Sequence, residues 1–269
     1  MHEIYPWQQQ QWQYLLTRYE NNNLPHALLL TGQSGLGKTT FACALAELLL
    51  DAKSDAKASK LLEAGNHPDL KLITPEDKII KIEQVRNIID DVSKKGHQNK
   101  YKVIIIKPAH AMNIAASNAL LKTLEEPTAD TMIILITDQP SLLLSTIRSR
   151  CQRIDFYPPA KEIAKKWCVS DLLLALAENA PLLAKKLAED NIIQEREELF
   201  KAFAALLHKQ LDPIKFAEIY QKIDLPVALR YLQVWLLDLI KIKFGIEPNF
   251  LLNIDKIKEL SNLAQSINL

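Results

Sequence analysis

Gly32-Gln33-Ser34-Gly35-Leu36-Gly37-Lys38-Thr39 is the stretch that decides how the chain folds. It fits G-x-x-x-x-G-K-S/T at every fixed position, the pattern of a loop that wraps phosphate. Its glycines let successive backbone N–H groups turn toward one anion. A helix beginning near Lys38 brings the positive end of its dipole to the same point. Lys38 has the reach and charge to meet β and γ phosphates, and Thr39 offers a hydroxyl to magnesium. Such a loop joins a strand to a helix. HALLLT precedes it at 26–31 as a short apolar run, and TTFACALAELLL follows at 39–50 with helical character. The context predicts a P-loop fold. Two readings of the loop stay open on these residues: it holds a nucleotide, or it keeps the shape without one.

Further out, strand-length apolar runs recur at 69–74, 102–106, 132–137 and, more weakly, 153–156. Helical patterns lie between them: IEQVRNIIDDVSKK at 82–95, IAASNALLKTLEE at 114–126 and SLLLSTIRSR at 141–150. Alternation of this kind predicts a parallel sheet covered by helices on both faces. Pro158-Pro159 breaks the pattern and marks a boundary. Beyond it Leu, Ala and Ile recur at helical spacing among Lys and Glu, punctuated by Pro181, Pro213, Pro226 and Pro248. The short Gln run at 8–11 is expected on a helix face near Trp7 and Trp12.

A P-loop ATPase also needs an acidic residue at the end of a neighbouring strand to hold magnesium, and commonly a Glu after it to orient water. The candidate strand, Lys102 to Ile106, ends instead in Lys107-Pro108. A lysine cannot bind magnesium as a carboxylate does, and proline has no side-chain base. MIILIT ends in Thr137-Asp138, which puts a polar threonine first. Hydrolysis by this chain alone is therefore not expected.

Composition narrows the choice of function. The chain holds 33 Lys and Arg against 32 Asp and Glu, a formal net charge of +1, which excludes a strongly basic nucleic-acid-coating protein while leaving room for a local basic face. Cys43, Cys151 and Cys168 are far apart and odd in number, which argues against a disulfide framework and fits a reducing compartment. MHEIYPWQQQ lacks the basic flank and apolar core of a secretory leader. No apolar run reaches the ~20 residues that span a bilayer. A cytoplasmic location and no membrane partner are expected.

Four motifs recur in one order: YPW at 5–7, LPHALLLTG at 24–32, AGNHPDL at 64–70 and SNALLKTLEEP at 117–127, followed by Ser149-Arg150-Cys151. With Lys-Pro in place of Asp-Glu, the chain resembles the delta-prime family of bacterial DNA polymerase III clamp-loader subunits, of the AAA+ class. The similarity is specific from residue 5 to about 160 and looser beyond. SNALLKTLEEP and the Ser-Arg-Cys tripeptide are shared with the ATPase subunits of the same loader. The resemblance implies an α/β P-loop AAA+ module with a parallel sheet at 1–160, a small helical lid domain at 161–204 and a partial helical collar domain at 205–269. Members of the family continue with further collar helices, so a short protein and a shortened chain both fit. The resemblance also implies a non-hydrolysing member of a five-subunit ring. Its partners there are the clamp-loader ATPase subunits and the delta subunit, and through the complex the sliding clamp and primed DNA. The subunit belongs to a DNA-directed DNA polymerase holoenzyme but is expected to have no polymerase or ATPase activity of its own.

By the same resemblance Arg150 is the catalytic residue, an arginine finger given in trans to a neighbour's ATP site, with Arg148 the weaker candidate. The nucleotide-binding set, if retained, is Gly32, Gly35, Gly37, Lys38, Thr39 and Thr137. Thr137 reads either as a phosphate-sensing residue or as a plain strand-terminal threonine. ATP or ADP without hydrolysis is the only cofactor expected. Asn179-Ala180-Pro181 stands where active subunits often carry a lid arginine. Two other functions remain: a motor ATPase, which needs a carboxylate not found here, and a nucleotide-gated interaction module outside replication. Lys94, Lys95, His97, Lys100 and Lys102 form a basic cluster that reads first as a solvated loop and second as a contact for DNA phosphate. Lys122 is a surface lysine by default, Glu125-Glu126-Pro127 ends a helix, and Cys151 reads as a small buried residue.

The family often carries four zinc-binding cysteines before its HPD motif. Residues 51–70 contain none, and a lone His67 is more often structural, so no metal site is expected. Structural zinc takes about four ligands, usually sulfur or imidazole. Elemental analysis of protein purified without added metal is expected to find no stoichiometric zinc. One zinc per chain would redirect attention to His67 and the neighbouring aspartates.

Overall fold

A computed structural model of the chain describes residues 2–51, 67–93, 101–127, 130–168, 170–189, 192–221 and 225–266. Residues 52–66, and with them most of the cysteine-free stretch, lie outside that set. So do Lys94, Lys95, His97 and Lys100 of the basic cluster. The chain divides into two units, Met1–Pro158 and Pro159–Leu269.

The first unit is built on five parallel strands: β1 (Ala27–Thr31), β2 (Leu70–Ile73), β3 (Lys102–Ile106), β4 (Thr131–Thr137) and β5 (Gln152–Asp155). They lie in the order β2-β3-β4-β1-β5. Every residue of β1 and β4 is buried, as expected of strands covered on both faces. The helices are α1 (Gln9–Glu20), α2 (Lys38–Leu49), α3 (Ile82–Ser93), α4 (Ile114–Glu125) and the single turn α5 (Ser145–Arg148). Leu29, Ile104, Ile106, Ile133 and Leu135 pack one sheet face against Val85 of α3 and Leu120 of α4. Phe41 of α2 is held edge-on by Trp12 of α1 at 5.6 Å and by Phe156 at 5.0 Å. Asn113 starts α4 by accepting the Ala116 N–H at 2.7 Å, which satisfies one of the donors a helix start leaves open.

SLLLSTIRSR is a correction to the helical reading. Pro140–Leu142 forms a 3-10 turn, Leu143 and Leu144 are extended, and only Ser145–Arg148 winds as a helix. The cause is local. The Gln139 N–H is captured by the Thr137 hydroxyl at 3.0 Å, and Pro140 then opens a short turn. The extended backbone drives Leu143 into the core and leaves Leu142 exposed.

The described residues of the second unit form helices: α6 (Lys161–Ala164), α7 (Asp171–Leu176), α8 (Pro181–Glu189), α9 (Ile192–Leu207), α10 (Pro213–Tyr220), α11 (Leu225–Lys243) and α12 (Ile257–Ser266). Asn179 and Glu178 take the left-handed turn between α7 and α8, and Pro181 opens α8. Trp235 of α11 is fully buried among Phe200 at 5.1 Å, Phe203 at 5.4 Å and Tyr231 at 5.8 Å. Beside this aromatic core lies a buried polar knot. The Asp238 carboxylate accepts the Leu252 N–H at 2.9 Å, the Asn253 N–H at 2.8 Å and the Asn253 amide at 2.7 Å. Asn253 in turn accepts from buried Arg196 at 2.7 Å, which also pairs with Asp255 at 2.6 Å.

Asp238 is 0% exposed, so its removal strands three donors, two of them on buried Asn253. Asp238→Ala is expected to lower unfolding free energy by about 3 kcal/mol or more. Asp238→Asn, which keeps one acceptor, should cost less. Urea denaturation followed by far-UV circular dichroism checks both, and equal stability of all three proteins would mean the knot contributes nothing.

Candidate functional site: a phosphate loop tied to the amino terminus

In-register pairing aligns the carboxyl ends of three strands. Thr31 of β1 stands opposite Thr137 of β4 on one side and Asp155 of β5 on the other. In open α/β sheets this is the edge where ligands bind. The loop 32–37 leaves β1 there and turns into α2. Gly37, at φ 79°, caps α2 in the left-handed region. A Cβ at Gly37 would sit 2.6 Å from the Tyr5 ring and 2.8 Å from the Gln8 amide, so both conformation and space demand glycine. Gly32, at φ 134°, lies against the Phe156 carbonyl with no room for a side chain.

The loop is tied down by the amino terminus. The Trp7 indole N–H and the Gln8 amide both donate to the Leu36 carbonyl, at 3.0 and 2.8 Å. Gln8 is fully buried, and its oxygen accepts the Tyr5 N–H at 3.2 Å. The Tyr5 and Trp7 rings stack at 4.9 Å with planes 3° apart. His2 anchors the segment further along, with Nδ1 2.7 Å from the buried Glu47 carboxylate of α2. This clasp is absent from the sequence reading, which placed Gln8 on a helix face. Pro6–Gln8 is a 3-10 turn that delivers Gln8 inward. The signal that could have found it is a glutamine directly after Pro-Trp and before a helix.

Lys38 Nζ donates to the Gly32 carbonyl and, at 2.7 Å, to that of Gln33. Burial lowers its pKa to about 8, while Asp138 pulls it up and Lys107 pushes it further down. One carboxylate and a second ammonium thus act on the loop lysine. Lys107, exposed, sits at the end of β3 where the sequence lacks an acid. Thr39 is half-buried in the first turn of α2. Thr137 is buried, and its hydroxyl accepts from the Gln139 N–H and lies 2.9 Å from Nδ1 of His110. His110 is the site residue that sequence reasoning missed. Positive-φ glycines, a helix start and a buried lysine form a cradle that fits a phosphate chain. Gly32, Gly35, Gly37, Lys38, Thr39 and Thr137 are the residues that could hold it.

Arg150 is not part of this cluster. It precedes β5 on the amino side, whereas the loop follows β1 on the carboxyl side of the same parallel pair. The length of β5 separates the two edges by roughly 10 Å. The Arg150 guanidinium pairs with Glu125 at 2.6 Å and donates to the Thr146 carbonyl at 3.0 Å, which joins the Ser-Arg-Cys tripeptide to the end of SNALLKTLEEP. Arg148, two residues earlier, is exposed. Cys151 is half-buried against the core, where burial pushes its thiol up to about 12. His67 is buried in the turn before β2 and accepts the Asp69 N–H at 3.2 Å. Lys122 is exposed on α4. Among the described residues no three His, Cys, Asp or Glu side chains gather to hold a metal. No described helix is long and apolar enough to cross a membrane.

A protein-family profile described as DNA polymerase III, delta subunit, matches residues 7–160, and a second, described as DNA polymerase III, delta subunit, C terminal, matches residues 190–269. The chain is 35% identical to DNA polymerase III subunit delta' of Pseudomonas aeruginosa over 260 residues, 90% of this chain and 78% of the relative. It is 30% identical to the subunit of the same name from Haemophilus influenzae over 283 residues, 99% of this chain and 84% of the relative. A DNA polymerase III gamma subunit-related protein of Thermotoga maritima superposes with a TM-score of 0.46 and 22% identity, covering 94% of this chain and 78% of that one.

The lowered Lys38 pKa has a consequence for stability. A buried ammonium with a folded pKa of about 8 against an ordinary 10.5 destabilises the fold fully below pH 8. The penalty is relieved as the folded protein loses that proton earlier than the unfolded chain, between pH 8 and 10.5. The stability of the wild type relative to Lys38→Met is expected to be level below pH 7. It should then rise with a slope of up to about 1.4 kcal/mol per pH unit across that window. Urea titrations at a series of pH values measure the difference, and a flat curve would place Lys38 at its ordinary pKa.

Proposed function

The chain belongs to the DNA polymerase III delta-prime family, and from that premise we propose that it is a non-hydrolysing clamp-loader subunit. It acts in a five-membered ring beside the clamp-loader ATPase subunits and the delta subunit, in the cytoplasm. The assembly places the sliding clamp on primed DNA during replication. In this reading 161–204 forms a lid and 205–269 part of a collar.

The observation that carries the proposal is the pairing of a complete phosphate loop with a lysine where a magnesium carboxylate would stand. The cradle around Lys38 suits ATP or ADP, which would supply a triphosphate or diphosphate for the loop N–H groups and Lys38 to grip. Lys107 raises the cost of a divalent cation beside it, because its charge already acts on the loop lysine. Proline follows, so no side chain there can orient water. The chain binds and orients at its own loop, and its chemical contribution is made elsewhere. Arg150 is that contribution. Its place on the opposite edge of the sheet keeps it from its own loop and suits a neighbour's site. Its planar fork offers a phosphate paired donors that lysine cannot.

A second reading draws on Asp138, the carboxylate whose field reaches Lys38. If Asp138 held magnesium, the chain would be an active AAA+ ATPase. The two readings part in one experiment. The purified chain alone is expected to show no ATP turnover above background. Turnover abolished by Lys38→Ala would establish the second reading. Reconstituted with its partners, the Arg150→Ala subunit should assemble but reduce hydrolysis at the affected site by on the order of 10³ or more. DNA- and clamp-stimulated ATPase, measured with clamp loading, checks this. Unchanged hydrolysis and loading would make Arg150 an ordinary surface residue.

A further inference from the structure

His110 lies on the 3-10 turn Ala109–Ala111, directly after β3 and Lys107-Pro108. Its side chain is 18% exposed. Nδ1 stands 2.9 Å from the Thr137 hydroxyl oxygen and 3.4 Å from the Asp138 carboxylate. The Gln139 N–H donates to the same hydroxyl oxygen at 3.0 Å. These four groups favour one placement of the hydrogens. An ionised carboxylate accepts only, so its approach to Nδ1 favours a proton on that nitrogen. Nδ1–H then donates to the Thr137 oxygen. That oxygen has two lone pairs, and the Gln139 N–H and the His110 N–H fill both. The one role left to the hydroxyl is donation of its own hydrogen. With the opposite tautomer, Nδ1 would take that hydrogen and the hydroxyl would have none to give.

We propose that His110 is a positioning residue that fixes the Thr137 hydroxyl as a donor toward the terminal phosphate of a nucleotide in the loop. This rests on the reading that the loop takes ATP or ADP. Thr137 stands opposite Thr31, the residue from which the loop departs, and the charge of its neighbour Asp138 reaches Lys38. On this reading the donor at that strand end meets the end of the phosphate chain, and so distinguishes ATP from ADP rather than gripping both. Lys38 and Lys107 supply attraction to either nucleotide. His110 supplies the orientation of the one group that responds to the third phosphate. The imidazole does not touch phosphate in this role.

The test uses the full chain, with ATP and ADP in magnesium-free buffer as probes in calorimetric titrations. The wild type is expected to prefer ATP. His110→Ala should weaken ATP about tenfold or more, the scale of a lost hydrogen bond to a charged group, and leave ADP within about twofold. Thr137→Val should give the same loss, and the double variant no further loss, because both changes remove one donor. His110→Asn places an amide N–H close to where Nδ1–H was and should restore most of the preference for ATP. In selectively 15N-labelled nucleotide-free protein, the His110 ring should be protonated at Nδ1, a signature that bulk packing does not predict. Equal losses for ATP and ADP, additive effects in the double variant, no recovery with asparagine, or an Nε2-protonated ring would each overturn the role of His110 while the loop reading stands. A wild type that binds neither nucleotide, indistinguishable from Lys38→Ala, would overturn both.

Discussion

The parallel pairing of β1 between β4 and β5 is the constraint from which the site follows. It sets Thr31 level with Thr137 and Asp155, so that three strand ends open on one edge. The Thr31 hydroxyl donates to the Asp155 carboxylate across that edge, and Arg153 holds the same carboxylate at 2.7 Å. Gln11 of α1 reaches the Asp155 carbonyl at 2.8 Å. The loop therefore departs from a strand end braced from both sides. A slip of one residue in β1 would turn its buried side chains to the wrong faces and move the loop away from Thr137.

Rigidity in the loop comes from two further sources. The Leu36 carbonyl, which a free loop would leave to water, is held by Trp7 and Gln8. Lys38 spans the loop by donating to the Gly32 and Gln33 carbonyls. Both ties hold the backbone of the cradle in place, so less ordering entropy is lost when an anion enters. The electrostatic balance is unusual for a loop of this kind. An ammonium at the end of β3 adds to that of Lys38, and Asp138 is the carboxylate that offsets them. Such a field favours a polyanion and opposes a divalent cation, which on the proposed reading separates binding from hydrolysis by charge.

Part of this could be read from residues in order. Strands covered on both faces need unbroken apolar runs, so HALLLT, KVIII and MIILIT were legible. The loop was legible because its glycines sit at fixed spacing before a lysine and a threonine, and that pattern shows without the fold. SLLLSTIRSR was misread because its helical spacing continues through residues whose backbone a threonine hydroxyl and a proline had already bent. Gln8 and His110 were missed for a different reason. Each acts through a partner 28 or 27 residues away, and neither leaves a periodic trace. The same holds for Arg196 and Asn253, which are 57 residues apart. Polar contacts between distant residues depend on the fold being complete, and hydrophobic pattern carries no record of them.

The two edges of the sheet explain why one chain would carry both a phosphate loop and an arginine that the loop cannot use. Parallel strands give every β-α-β step the same direction, so whatever follows a strand gathers at one edge and whatever precedes a strand gathers at the other. The loop, Thr137 and His110 follow strands. Arg150 and Glu125 precede them, on the segments that lead into β5 and β4. In a ring of such units, on the proposed reading, the loop edge of one faces the arginine edge of the next. The Glu125 carboxylate bears on this arrangement. An exposed ion pair contributes little stability, so its value lies in direction. With one Nη on Glu125 and the other on the Thr146 carbonyl, the guanidinium is held across a fork of fixed geometry rather than sweeping through solvent. An arginine aimed before its partner arrives loses less rotamer freedom on contact than a free one would. The same anion also competes for the charge that a neighbour's phosphate would need. The aim is useful only where the incoming phosphate, with more negative charge than a single carboxylate, draws the guanidinium away from Glu125.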